Sequence, residues 1–175
     1  MRLLIQSLFL LVLSISAAWA DVILPEVVTA AYSGLKPQGE ARLRVFGFHI
    51  YDSALWVSGD GYRPDELFAL DICYARNFKG MALAEQSVEE WRRMGIGNEE
   101  KYQRWLPEMA RVFPDVKPGD HIVGVSVPVK GARFYSAGKL LGTIDDWEFA
   151  QAFFAIWLDS RTREPTVRER LMGKK

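Results

Sequence analysis

Cysteine and histidine are scarce in this chain: one cysteine, Cys73, and two histidines, His49 and His121, in 175 residues. A lone cysteine closes no disulfide within the chain, so the fold has to hold without covalent staples. A zinc site would need mostly carboxylate ligands, and each histidine stands isolated in an apolar run where a hydrogen-bonded core role is the ordinary one. No metal is therefore expected. Cys73 lies in the strand-like segment Leu70-Asp71-Ile72-Cys73-Tyr74 with no histidine patterned beside it, which reads as a small buried hydrophobe rather than a catalytic thiol. An excess of one charge is missing as well, because 22 basic and 22 acidic residues cancel. That excludes the broad electropositive surface of a nucleic-acid binder. The sequence also lacks HExxH, Gly-x-Ser-x-Gly, a Walker loop, Cys-x-x-Cys and the dinucleotide-binding glycine pattern, so no cofactor is expected. Neither internal repeats nor a Gly/Ser-rich linker divides it.

What the chain does have begins at its N-terminus. A basic Arg2, an apolar stretch from Leu3 to Ile15 and the small-residue site Ala18-Trp19-Ala20 form the three-part layout of a cleavable secretory signal. The apolar stretch is shorter than the ~20 residues of a membrane-spanning helix. Cleavage is expected after Ala20, with a periplasmic destination and no integral membrane segment afterwards. Cys73 is too far from that site to be a lipidated first residue. Residues 21–175 then form one domain, long enough to bury about two-thirds of its unfolded surface.

Periodicity divides that domain into strands and helices. RLRVFGFHIYDSALWV, residues 42–57, is rich in β-branched and aromatic residues with both faces largely apolar, which predicts an interior strand pair or one long bent strand. After the turn residues Asp60-Gly61 and Pro64, Leu67 to Arg76 reads as another strand. Met81, Ala84, Val88, Trp91 and Met94 recur at helical spacing up to a Gly95 cap. Asn98 caps a second helix with Tyr102, Trp105, Leu106, Met109 and Phe113 in one stripe, which Pro107 should kink or restart. HIVGVSVP, GARFY and KLLGTI follow as strands joined by tight turns, an antiparallel meander. Asp145-Asp146 precedes a helix from about Trp147 to Leu158, and helix capping is the better account of that pair than acid–base chemistry. Pro165 starts a short terminal helix ending at Gly173. The sum is an α+β domain: an antiparallel sheet with helices packed on one face, an open-faced sandwich.

The candidate polar anchors are arginines set among apolar strand residues. Arg42, Arg44 and Arg76 each need an acceptor if buried. A salt bridge to Asp52, Asp71 or Glu40 would supply one. The alternative is a clamp at the edge of an apolar cavity, holding the carboxylate of a fatty acid or phenolic acid by paired hydrogen bonds.

The segments FGFHIYDSALWV, FPDVKPGDHIVGVSVP and ARFYSAGKLLGTIDDWEFAQAFFAIWLDSRTREPTVRERLMG resemble the bacterial chalcone isomerase-like proteins, relatives of plant chalcone isomerases and of fatty-acid-binding proteins of that fold. The chain departs from that pattern at one turn and one helix cap, with Ala137-Gly138 where relatives carry Asn-Gly and Asp146-Trp147 where they carry Asp-Pro. The resemblance implies an apolar cleft between sheet and helices. It also lays the plant enzymes' threonine, tyrosine, asparagine and late hydroxyl over Phe46, Leu83, Glu90 and Ile156, and their arginine over Arg42 or Arg44. Phe, Leu and Ile neither donate nor accept hydrogen bonds, and Glu90 would repel a phenolate. The implied polar constellation is missing.

The expectation is thus an exported, non-catalytic chalcone isomerase-like domain that binds a small amphipathic acid. Arg44 or Arg42 would meet the carboxylate, Arg76, Tyr51 or Tyr135 would assist, and Phe153, Ile156 and Trp157 would line the tail. Two alternatives belong to other classes: an intramolecular lyase with a rearranged site, and a domain docking on another envelope protein. Export away from cytosolic precursors weighs toward binding.

Overall fold

The computed structural model describes residues 23–174, so the segment read as an export signal lies outside the described residues. Eleven elements follow one another: α1 (Glu26–Ala31), β1 (Lys36–Val45), β2 (Phe48–Val57), β3 (Phe68–Tyr74), α2 (Gly80–Met94), α3 (Glu99–Val112), β4 (His121–Val127), β5 (Gly131–Ser136), β6 (Lys139–Ile144), α4 (Trp147–Leu158) and α5 (Pro165–Leu171). The strands form one six-stranded sheet in the order of the chain, every neighbouring pair antiparallel.

Period-two alternation sends successive rows of this sheet to opposite faces. One row, Leu55, Leu70, Gly124 and Phe134, looks toward the helices; the next, Trp56, Ala69, Val125 and Arg133, looks away. The helix side holds the main core, where Leu55, Leu70 and Phe134 meet Trp91 and Trp105 of α2 and α3 and Phe149, Phe153 and Phe154 of α4. Trp91 is fully buried, lies edge-on to Trp105 with ring centres 5.1 Å apart, and donates its Nε1 proton to the Ala152 carbonyl at 2.7 Å. That bond ties α2 to α4.

The reverse face is covered too. Leu24 and Val28 of the leading segment pack on Ala54, Trp56, Ala69, Val123, Val125 and Tyr135. The sequence pattern predicts neither α1 nor the first six residues of β1. A six-residue helix is too short to stand by its own propensity and forms only because the sheet's apolar reverse face shelters Val28.

Two further expectations are corrected. Residues 42–57 are not an interior pair, because β1 is an edge strand; Arg42 and Arg44 on its outer side are the charged residues that discourage further strand pairing. Helix α3 runs through Pro107 without restarting, since Tyr102 and Trp105 before it and Met109 and Val112 after it are all buried in the same core. The predicted caps form: Asn98 accepts from the Lys101 amide, Asp146 accepts from the Phe149 amide, and Gly95 closes α2 at φ 67°. Among the described residues no helix is long and apolar enough to cross a membrane.

Candidate functional site

The sheet and helices do not close everywhere. Between the end of the sheet carrying the β1–β2 hairpin and the helices lies a cavity of about 360 Å³. Its floor is Leu70, Ile72, Ile122 and Phe134 of the inner strands, and its side is Leu43, Val45, Ile50 and Tyr51 of the hairpin. Leu83, Ser87 and Glu90 of α2 and Phe153, Ile156 and Trp157 of α4 form the roof, and the α4–α5 turn, Thr162-Arg163-Glu164, contributes the remaining wall. Gly124 makes room on the floor, since a Cβ there would stand 2.9 Å from a carbon of the Phe154 ring. The size falls at the lower end of small-molecule pockets, roughly 300–1,000 Å³, and the mostly apolar wall with a few polar groups matches their usual composition.

The charged groups of this wall are Glu90, Arg163 and Glu164, and Glu90 and Arg163 are joined. Glu90 is 8% exposed; its Oε1 lies 2.8 Å from Arg163 Nη2 and its Oε2 lies 2.9 Å from Arg93 Nε. Arg93 is also tied through Nη2 to the Arg161 carbonyl at 2.9 Å. The Arg163 side chain is 58% exposed, so it reaches from the mouth of the cavity inward. A guanidinium has five N–H donors, and this contact with Glu90 leaves others to face a ligand.

The remaining polar groups are mostly committed to the protein. Ser87 donates to the Leu83 carbonyl at 2.9 Å and Thr162 to the Ile156 carbonyl at 2.7 Å. Tyr51 accepts the Trp157 indole proton at 3.0 Å, and burial pushes its phenol well above the ordinary tyrosine range. It therefore keeps its proton and offers a neutral O–H donor. Tyr74 is raised by burial in the same way. Among the described residues no group of three or more His, Cys, Asp or Glu side chains is arranged to hold a metal ion.

Of the residues singled out from the sequence, Tyr51, Phe153, Ile156 and Trp157 line this cavity. Arg42, Arg44, Arg76 and Tyr135 are not among its lining residues. Arg42 grips Asp52 across the β1–β2 pair, Nε to Oδ1 at 2.6 Å and Nη2 to Oδ2 at 3.2 Å, which is the salt-bridge alternative. Arg44 donates to the Gly47 carbonyl at 3.2 Å, and Arg76 lies over the Phe48 ring at 5.3 Å. Tyr135 points to the reverse face, 3.4 Å from the Tyr32 hydroxyl. The reason is parity: Arg42 and Arg44 alternate with Leu43 and Val45, and the helices cover the face that Leu43 and Val45 occupy. The arginine that does line the cavity, Arg163, stands in the sequence among Arg161, Glu164 and Arg168, where nothing local sets it apart. Leu83, Glu90 and Ile156, three positions that the resemblance overlays on polar groups, line the cavity, while Phe46 stands at the tip of the β1–β2 hairpin.

The reverse face holds a second polar cluster. Cys73 pairs in register with Asp52 on β2 and His121 on β4, so a histidine does neighbour the thiol. His121 Nδ1, however, is engaged by buried Asp71 Oδ2 at 2.8 Å, a hydrogen bond that raises the His121 pKa. Partial burial, with Asp71, Asp52 and Asp120 nearby, pushes the Cys73 thiol up. A raised thiol is a poor nucleophile.

Comparison with known proteins brings these observations together. A family model described as chalcone isomerase-like matches residues 16–173. An uncharacterized protein of Haemophilus influenzae is 28% identical over 146 residues, 83% of this chain and 71% of that protein. The crystal structure of an Arabidopsis thaliana fatty-acid binding protein aligns with a TM-score of 0.62 over 81% of this chain and 88% of that chain. Its sequence identity is 10%, so the likeness is one of fold.

Proposed function

The chain belongs to the chalcone isomerase-like family, and from that membership we propose that it is a non-catalytic carrier that binds a fatty acid or similar amphipathic acid in the cavity between sheet and helices. The observation that carries the proposal is the distribution of polarity around the cavity. Its floor and the α4 part of its roof are hydrocarbon and aromatic, the polar side chains Ser87 and Glu90 stand on α2, and an arginine at its mouth retains donors beyond the Glu90 contact. An acyl chain would lie against Ile72, Phe153 and Ile156, with its carboxylate at Arg163 and the Tyr51 hydroxyl as a neutral second donor. Arg163 takes the role the sequence suggested for Arg42 or Arg44. The Ser87 and Thr162 hydroxyls are held by helix carbonyls, which supports binding over turnover.

Residues 1–20 carry the features of a cleavable signal, and the proposed place of action is the periplasm. Intact-mass measurement on protein recovered from a periplasmic extract checks this; a mature chain starting at Asp21 is the expected result.

Native purification, solvent extraction and mass spectrometry test the binding. A co-purifying carboxylic acid, and a melting temperature that rises with added fatty acid by mass action, are expected. Absence of both would remove the proposal. Turnover of a chalcone above the buffer rate, lost in Y51F, would replace it with an enzymatic one, and a co-purifying polypeptide in place of a lipid would favour a docking domain.

A further inference from the structure

We propose that the tip of the β1–β2 hairpin is a docking element for the surface of a bilayer containing anionic phospholipid. The hairpin turns on Phe46 and Gly47, both left-handed at φ 49° and 82°, between the paired residues Val45 and Phe48. Two-residue turns of this kind favour Asn, Asp or Gly at the first position, because a bulky side chain there is strained. Here that position holds phenylalanine, 97% exposed, followed by Phe48 at 62% and preceded by Val45 at 38%. Strain and solvent exposure both disfavour this residue in the isolated protein, and backbone outliers of this sort concentrate at functional surfaces. Other exposed large apolar residues, such as Met81, Val129 and Leu140, stand alone in their segments, as on most protein surfaces. Three together on one loop make a patch.

Charge and position say what covers it. Arg44 lies beside the tip, and Arg76 stacks over Phe48 at 5.3 Å; among the described residues neither is in an ion pair. Asp52, the acid closest to the tip in sequence, is gripped by Arg42. Apolar side chains ringed by uncompensated arginines complement a bilayer interface with negative headgroups. The β3 chain last bonds to β2 at Ile50, so the turn projects about 10 Å past that point, enough to pass the headgroups. Val45 belongs both to the patch and to the cavity wall. The docked orientation thus sets the cavity beside the membrane surface, from which an amphipathic acid could enter.

Co-sedimentation of the purified protein with vesicles tests this. Binding to phosphatidylglycerol–phosphatidylcholine vesicles, much weaker binding to phosphatidylcholine alone, and release by salt are expected. F46N should lower the partition coefficient by roughly tenfold, about the share of one buried ring. The same substitution relieves the turn, so its melting temperature should match or exceed the parent's, which separates lost docking from lost folding. R44S/R76S should remove the preference for phosphatidylglycerol. Failure of the parent protein to bind either vesicle, or unchanged partitioning of F46N, overturns the docking element. Oleate binding measured without vesicles should be unaffected by F46N. If the parent binds vesicles but no oleate, the cavity proposal falls and this one stands; if it binds oleate but no vesicles, the reverse holds.

Discussion

Replacing Glu90 by glutamine sets two consequences of the cavity's polar end against each other. In the parent protein the carboxylate, 10% exposed at its side chain, neutralises Arg93 at 2.9 Å and Arg163 at 2.8 Å. A ligand carboxylate has to compete with it for Arg163. Breaking a fully buried ion pair costs about 3–5 kcal/mol and an exposed one 0–1 kcal/mol. With Arg93 35% and Arg163 58% exposed, E90Q should cost about 1–2 kcal/mol, because water screens the two cations left behind. For a domain of this length that lowers the melting temperature by about 3–6 °C. Binding should move the other way. Arg163 loses its resident anion, and a charge-assisted hydrogen bond regained by the ligand is worth about 1.5 kcal/mol, roughly tenfold in Kd. Titration calorimetry with oleate, oleyl alcohol as the uncharged control, and thermal melting of both proteins provide the readout. Tighter oleate binding with unchanged alcohol binding supports the reasoning. Equal or weaker oleate binding by E90Q, in a protein that still melts cooperatively, would refute the assignment of Arg163 to the head group.

Three other outcomes are expected. Ala137 occupies the left-handed first position of the β5–β6 turn at φ 48°; A137N, which places there a residue that tolerates this conformation, should stabilise the fold by about 1 kcal/mol in a thermal melt. His121, held by Asp71, has a pKa raised above its ordinary 6.5, so their bond contributes fully below that pH and is lost as pH rises through the shifted midpoint. The stability gap between the parent and H121N should therefore narrow upward from about pH 6.5, and an NMR titration should show the His121 midpoint falling in D71N. Gly39 of β1 lies against the Arg170 and Leu171 carbonyls of α5, where a Cβ would overlap backbone atoms; G39A should loosen α5 and destabilise the protein by about 2 kcal/mol or more, measured by urea unfolding.

Much of the fold was legible locally because its cues are local. The 3.6-residue stripe of Trp91 and Met94 ending at Gly95, the Asn98 and Asp146 caps and the two-residue turn at Ala137-Gly138 are each written within a few positions, and each forms. Helix α1 and the start of β1 were not, because residues 23–41 carry no strong period and take their structure from the reverse face of the sheet. The apolar lining was also readable in part: Phe153, Ile156 and Trp157 follow from the excess of apolar faces on α4. Tyr51 reaches the same cavity from the hairpin and meets Trp157 across 106 positions of sequence.

Alternation, helical period and turn chemistry are properties of neighbouring residues, and they were enough to set the class of the fold, the antiparallel run of β4, β5 and β6 and the apolar character of the interior, though not the edge position of β1. It could place Arg42 and Arg44 together on one face of a strand. Which face the helices would cover is decided by the packing of four helices far along the chain, and that packing turned those arginines outward. Arg163 and Glu90, 73 positions apart, meet only when the α4–α5 turn closes over α2. The polar end of the cavity is therefore a product of tertiary structure alone.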